Sequence, residues 1–144
     1  MLRGIPPVLN GDLLKILRDM GHADELVISD ANYPSASTSQ RLVRTDGISM
    51  TDALSAILEI FPLDDFVDSP VFLMSPGPGK VPPLLGPVQK IVDKAHGKKV
   101  KIAPVPRFDF YDQARQAYAC VATNERRLYG DIIIKKGILR PGEK

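Results

Sequence analysis

The sequence predicts an α/β fold, a single three-layer domain whose largely parallel, mixed sheet is covered by helices on both faces. Three observations lead there. Short apolar runs of strand length alternate with stretches whose apolar residues recur at helical spacing, the pattern of βαβ units. With 144 residues the chain can bury one core and not two generous ones, so residues 1–144 read as one domain. Hydrophobic residues make up 44% and charged residues 25%, far from the composition that keeps a chain unfolded.

The elements follow in order. Leu13, Leu14, Ile16, Leu17 and Met20 share one face of a helix over 11–20, with Asn10 to cap its start and Gly21 to close its end. Residues 25–30 form a short buried strand that ends on an acid, Asp30, at the edge where open α/β sheets bind ligands. The Ser-, Asn- and Pro-rich stretch 30–40 reads as a loop, since Pro34 disfavours helix at Tyr33. A strand at 43–45 precedes a helix over 50–61, capped by Ser49 and stopped at Pro62. The apolar run 71–74 is a strand, and the prolines and glycines of 76–83 exclude regular structure. Pro87 suits the first position of a helix over 87–96 that Gly97 ends, and 100–105 follows as a strand. A last helix over 108–117 leads to strands at 120–123 and 131–135, the final pair being the candidate for antiparallel pairing. No internal repeat is present.

Composition excludes several classes of function. Nineteen Lys and Arg against 17 Asp and Glu leave a formal charge of +2, too small and too evenly spread for phosphate-backbone binding, so nucleic acid is not an expected partner. Lys98-Lys99 and Lys135-Lys136 read as solvated strand or turn ends. The one cysteine, Cys120, sits in an apolar stretch and reads as core; it rules out an internal disulfide and fits a reducing, cytoplasmic setting. The N-terminus lacks a signal peptide's apolar run, and no segment approaches the ~18 apolar residues of a membrane span. Gly77-Pro78-Gly79-Lys80 lacks the spacing and the following Ser or Thr of a phosphate loop, and no Gly-x-Gly-x-x-Gly follows the first strand. Two histidines and no cysteine cluster leave little material for zinc. His96, beside Gly97, reads as a solvated helix-end residue without a role.

Polar groups remain at the ends of the expected elements: His22, Asp30, Asp64, Arg107, Tyr111, Tyr129 and Asp131. Each has an ordinary structural explanation. His22 follows a helix C-terminus, where the dipole favours a cation. Asp30 can cap a loop, Arg107 can pair with a surface acid, and either tyrosine can sit half buried with its hydroxyl in water. Taken singly, they select no reaction.

Six segments taken together do. Gly21-His22-Ala23-Asp24-Glu25, Asp30-Ala31-Asn32-Tyr33-Pro34, Arg44-Thr45-Asp46-Gly47, Pro62-Leu63-Asp64, Arg107-Phe108-Asp109-Phe110-Tyr111 and Tyr129-Gly130-Asp131 occur in the order and spacing of a known family's signatures. The chain resembles the L-fucose mutarotase and D-ribose pyranase family from about Leu2 to Gly137, with 76–90 the least characteristic part. The resemblance implies an RbsD-like fold, cofactor-free and metal-free anomer exchange on a small free sugar, and a homo-oligomer, a decameric ring with sites completed across subunit contacts. It implies His22 as proton donor with Tyr111 as the second catalytic candidate, and Asp30, Asp64, Arg107, Tyr129, Gly130 and Asp131 as sugar-binding positions. The segment 108–111 is closer to the fucose branch, so L-fucose is the preferred substrate, with ribose the alternative. A non-catalytic sugar-binding subunit is the rival from another class.

One departure stands out. The family usually carries Tyr-Gly-Asn where this chain has Tyr129-Gly130-Asp131, and an ionised carboxylate only accepts hydrogen bonds where an amide also donates. Asn32 and Tyr33 likewise replace a common His and Phe. The chemistry suits the residues: ring opening needs a proton on the ring oxygen and one taken from the anomeric hydroxyl, and histidine can give or take a proton near neutrality. Carboxylates and arginine hold sugar hydroxyls by charge-assisted hydrogen bonds.

Overall fold

A computed structural model describes residues 1–143. The expected three-layer α/β architecture is present, built on one six-stranded mixed sheet. Helix α1 (Gly11–Asp19) starts where the Asn10 side chain accepts the Leu13 N–H at 2.9 Å. Strand β1 (Glu25–Ser29) follows, then a single helical turn α2 (Ser35–Thr38), β2 (Leu42–Thr45) and α3 (Met50–Leu58), whose Ser49 cap accepts the Asp52 N–H at 3.1 Å. The remaining order is β3 (Val71–Ser75), α4 (Leu85–His96), β4 (Ile102–Pro106), α5 (Arg107–Gln116), β5 (Ala119–Thr123) and β6 (Ile132–Lys135).

Strand order across the sheet is β2-β5-β1-β6-β3-β4. All strands run parallel except β6, which is antiparallel to both neighbours, β1 and β3. The last two strands therefore do not form the antiparallel pair expected of them: β5 lies between β1 and β2, and β6 crosses past β1. Ile132, Ile133 and Ile134 are fully buried, as a strand covered on both faces requires.

Alternation along the strands divides the interior in two. Leu26, Ile28, Val121, Ile132 and Ile134 face α1, α3 and α4, while Val27, Cys120 and Ile133 face Phe110 and Ala114 of α5. Cys120 is core, as expected, and burial pushes its thiol upward. No helix among the described residues is long and apolar enough to cross a membrane.

Five local expectations change. The stretch 30–40 contains a turn of helix, closed by the Thr38 N–H on the Pro34 carbonyl at 3.1 Å. Helix α3 ends at Leu58 rather than at 61. Helix α4 begins two residues before Pro87, which still lies in the first turn, where a missing N–H costs nothing; Gly97 closes it at φ +75°. Gly21 is not a left-handed cap, because α1 ends at an extended Met20 and the Lys136 ammonium donates to the Leu17 and Met20 carbonyls at 2.7 and 2.6 Å. Lys136 is thus a cap rather than a solvated end, and Lys135 pairs with Glu25 at 3.3 Å.

Replacing Lys136 with Met leaves two helix-end carbonyls without their donor, so we expect a loss of about 1–3 kcal/mol in urea unfolding. Faster amide exchange confined to the last turn of α1 should accompany it; unchanged stability would dismiss the cap.

Candidate functional site

The reversed strand decides which residues meet. Because β6 runs against its neighbours, its first end lies beside the last ends of β1 and β3. Asp131 enters β6 there, Asp30 leaves β1 there, and Arg107 and Tyr111 arrive on the first two turns of α5, directly after β4. Asp30, Arg107, Tyr111, Tyr129 and Asp131 line one cavity of about 170 Å³ with Asn32, Tyr33, Met74 and Leu128. That volume is below the several hundred Å³ usual for drug-sized ligands, so the site suits a small one.

Hydrogen bonds fix its floor. The Asp131 Oδ1 accepts the Asp30 N–H at 2.8 Å, the Asp30 Oδ1 accepts the Asn32 N–H at 2.9 Å, and the Asp131 carbonyl accepts the Met74 N–H at 3.0 Å. Burial, and next the neighbouring Asp30 charge, push the Asp131 carboxyl up to about 8. Tyr33 is buried edge-on against Phe110 and Tyr111, with ring centroids 6.1 and 5.4 Å away, and burial pushes its hydroxyl up to about 12. Arg107 is exposed, with its guanidinium over the Phe108 ring at 4.5 Å.

A second layer holds the turn that carries Tyr129, Gly130 and Asp131. Glu125 is buried and accepts the Arg127 N–H and Nε at 2.9 Å each, the Arg127 Nη2 at 2.7 Å and the Met50 N–H at 3.3 Å. The Arg127 guanidinium holds the Glu125 carboxyl at about 2, well below the ordinary glutamate value. Arg127 also donates to the Thr51 hydroxyl at 3.0 Å, so the turn is fastened to the start of α3. Sequence reading did not single out Glu125 or Arg127. Their i, i+2 spacing in a polar turn carries no motif, and burial of the glutamate is the only signal, visible after folding.

His22 and Asp64 lie elsewhere. His22 precedes β1, and Asp64 is joined by its N–H to the Lys135 carbonyl at 3.0 Å, so both sit at the opposite end of the sheet. A five-residue strand spans about 16 Å, which separates His22 from the cavity within one chain. The His22 Nε2 is 3.1 Å from the Asp64 Oδ1, which also accepts the Phe66 N–H at 3.0 Å, and the Phe66 ring lies 5.2 Å from the imidazole. Asp64 is buried against His22 rather than open to a ligand, while His22 stays 43% exposed. Among the described residues no group of three or more His, Cys, Asp or Glu side chains converges to hold a metal ion.

The candidate residues thus fall into two groups, a hydrogen-bonding cavity at one sheet end and a carboxylate-oriented imidazole at the other. The sequence model of the RbsD / FucU transport protein family matches residues 3–139. The chain is 42% identical over 140 residues to the L-fucose mutarotase of Actinobacillus pleuropneumoniae, covering 96% of this chain and 97% of that one. A crystal structure of the fucose mutarotase from Streptococcus pneumoniae in complex with L-fucose superposes with a TM-score of 0.89 at 42% identity, over 96% of this chain and 100% of that one. Bacillus subtilis RbsD complexed with D-ribose superposes with a TM-score of 0.74 at 21% identity, over 97% and 100%, and shares the fold.

Glu125 generates a prediction with a definite sign. Its folded value is depressed from 4.5 to about 2, so the stability it contributes is full above 4.5 and is lost as pH falls toward 2. Glu125→Gln should melt lower than wild type at neutral pH, and the gap should close across that acidic window. An equal gap at both ends would mean the charge is not what matters.

Proposed function

The chain belongs to the RbsD / FucU transport protein family, and on that premise we propose that it is an L-fucose mutarotase, an isomerase that interconverts the α and β anomers of the free sugar. The observation that carries this reading is the convergence of Asp30, Arg107, Tyr111, Tyr129 and Asp131, from three separate segments, on one small cavity. Met74 and Leu128 add apolar wall, which suits the methyl group that distinguishes a 6-deoxy sugar from ribose.

The reaction moves protons and nothing else. A base takes the proton of the anomeric hydroxyl, the bond from the anomeric carbon to the ring oxygen breaks as the carbonyl forms, and an acid protonates the ring oxygen. Rotation about the next carbon–carbon bond and the reverse steps close the other anomer. His22 is the acid, with Asp64 setting its ring by the bond to Nε2. Tyr111 orients or accepts the second proton, and Arg107, Asp30, Tyr129 and Asp131 hold the hydroxyls.

His22 reaches the cavity only from another chain. Phe66 is 64% exposed beside His22, and Phe108 and Leu128 are 66% and 67% exposed beside the cavity. Joining these two ends head to tail buries both apolar groups, sets His22 of the partner subunit over the cavity, and yields a closed ring when the rotation closes. The chain is accordingly a cytoplasmic homo-oligomer, a decameric ring on the pattern the sequence resembles.

Saturation-transfer NMR of fucose and ribose anomers tests the reading. We expect accelerated fucose exchange, reduced about 10²-fold or more in His22→Ala. Faster ribose ring-form exchange without fucose exchange would point to a pyranase, and binding without acceleration to a sugar-binding subunit. Tyr111→Phe should lower rate more than affinity; equal losses would make Tyr111 a binding group only. Mixing His22→Ala with Asp30→Ala chains, each inactive alone, should restore about a quarter of the sites if sites are shared between subunits. No recovery from a mixture shown to exchange subunits would place the whole site in one chain.

A further inference from the structure

Asp30 and Asp131 form a carboxyl pair that hydroxyl binding alone does not account for. Both are buried, at 6% and 3% exposure, both line the same cavity, and the Asp131 Oδ1 accepts the Asp30 N–H at 2.8 Å, so the two side chains lie side by side. Neither is in an ion pair among the described residues. The groups around Asp131 offer no relief of charge. Glu125, from the turn after β5, adds a further negative charge and has its own cation in Arg127. Tyr33 and Cys120 face it as neutral groups, from the loop after β1 and from β5. Tyr111 and Tyr129 line the cavity as hydroxyls, and the guanidinium of Arg107 rests on the Phe108 ring.

Two neighbouring buried carboxyls without a counter-cation do not both ionise; one keeps a proton. The more enclosed of the two is Asp131, whose Oδ1 is already an acceptor for the Asp30 N–H. Its proton therefore belongs on Oδ2, the oxygen that the Asp30 N–H does not occupy.

We propose that Asp131 works as a neutral carboxylic acid, positioned by Asp30, that gives the bound sugar a hydrogen-bond donor, so that recognition at this site fails when alkaline conditions remove that proton. The sugar half of this inference rests on the mutarotase reading; the protonation half does not. A neutral carboxyl offers one donor and one acceptor, the same pair that an amide presents. The chain thereby keeps, with an acid, a hydrogen-bonding pattern that an ionised carboxylate at that position would lose.

Two measurements on the intact protein decide it. Infrared spectra without sugar should show a protonated-carboxyl band in wild type at neutral pH, absent in Asp131→Asn and lost on titration to about pH 10. Absence of that band at neutral pH overturns the proposal whatever the substrate. The KM for fucose exchange, followed from about pH 6 to about pH 10, should rise about tenfold per unit above a midpoint near 8 in wild type, with kcat less affected. Asp131→Asn, whose amide keeps its donor at every pH, should lose the alkaline rise. A shared alkaline rise in both proteins, or a folded Asp131→Asn as inactive as His22→Ala, refutes the donor role. Wild type that neither exchanges nor binds fucose at neutral pH sinks the mutarotase reading and the sugar half with it, and the infrared band alone then judges the protonation.

Discussion

One reversed strand organises the molecule. Ile132, Ile133 and Ile134 pair with β1 on one side and β3 on the other, fully buried, and each such side chain contributes about 1.5–3 kcal/mol through burial. Running β6 against the rest places Asp131 at the edge where parallel strands present their last residues. It also sends Lys135 and Lys136 to the opposite edge. There the Lys135 carbonyl holds the Asp64 N–H, the Lys136 carbonyl holds the Ala23 N–H at 2.8 Å, and the Lys136 ammonium closes α1. Both groups of candidate residues therefore hang on the same four-residue strand, and a parallel β6 would have assembled neither.

The carboxyl groups near the cavity separate into two kinds by environment. Glu125 is surrounded by donors and an arginine, and these hold it as an anion that fastens the turn to α3. Asp131, a few residues on, meets another carboxyl and apolar cover, and burial drives it the other way. The same functional group is a structural anchor in one place and a proton carrier in the other. The difference lies in which neighbours the fold brings, since both side chains are nearly inaccessible to water.

How far the sequence reveals this follows from the range of each interaction. Asn10 and Ser49 cap their helices three residues downstream, and Gly97 takes a left-handed φ at its own position, so local chemistry made these legible. The reversal of β6 was not legible, because an Ile-rich run looks alike whichever way it points and strand order is set by crossovers. Lys136 misled for the same reason: its partners on α1 lie 116 and 119 residues away. Of the site, Asp30 could be placed from its position at a strand end. Arg107, Tyr111, Tyr129 and Asp131 were marked by six segments taken together, while the buried Glu125 and its arginine left no trace. The separation of His22 from Asp30 by the length of a strand was legible only as spacing, eight residues with five in the strand, which already forbids contact within one chain.

The turn before β6 shows what the cavity demands of the backbone. Tyr129 takes φ +59°, a conformation that costs an L residue about 1 kcal/mol, and the next residue packs too closely for any side chain. A Cβ on Gly130 would come within 2.6 Å of the Glu125 Cγ, 3.0 Å of the Arg127 carbonyl oxygen and 3.4 Å of the Asp30 Cβ. Those three contacts join the anchor, the turn and the cavity floor at one point. Glycine is required there because the anchored glutamate, the turn backbone and Asp30 all approach this position closely, while Asp131 reaches the Asp30 N–H and Tyr129 lines the cavity. The strained tyrosine and the bare glycine are thus consequences of the carboxyl pair's placement, and the Glu125–Arg127 ion pair supplies the rigidity that keeps both in position.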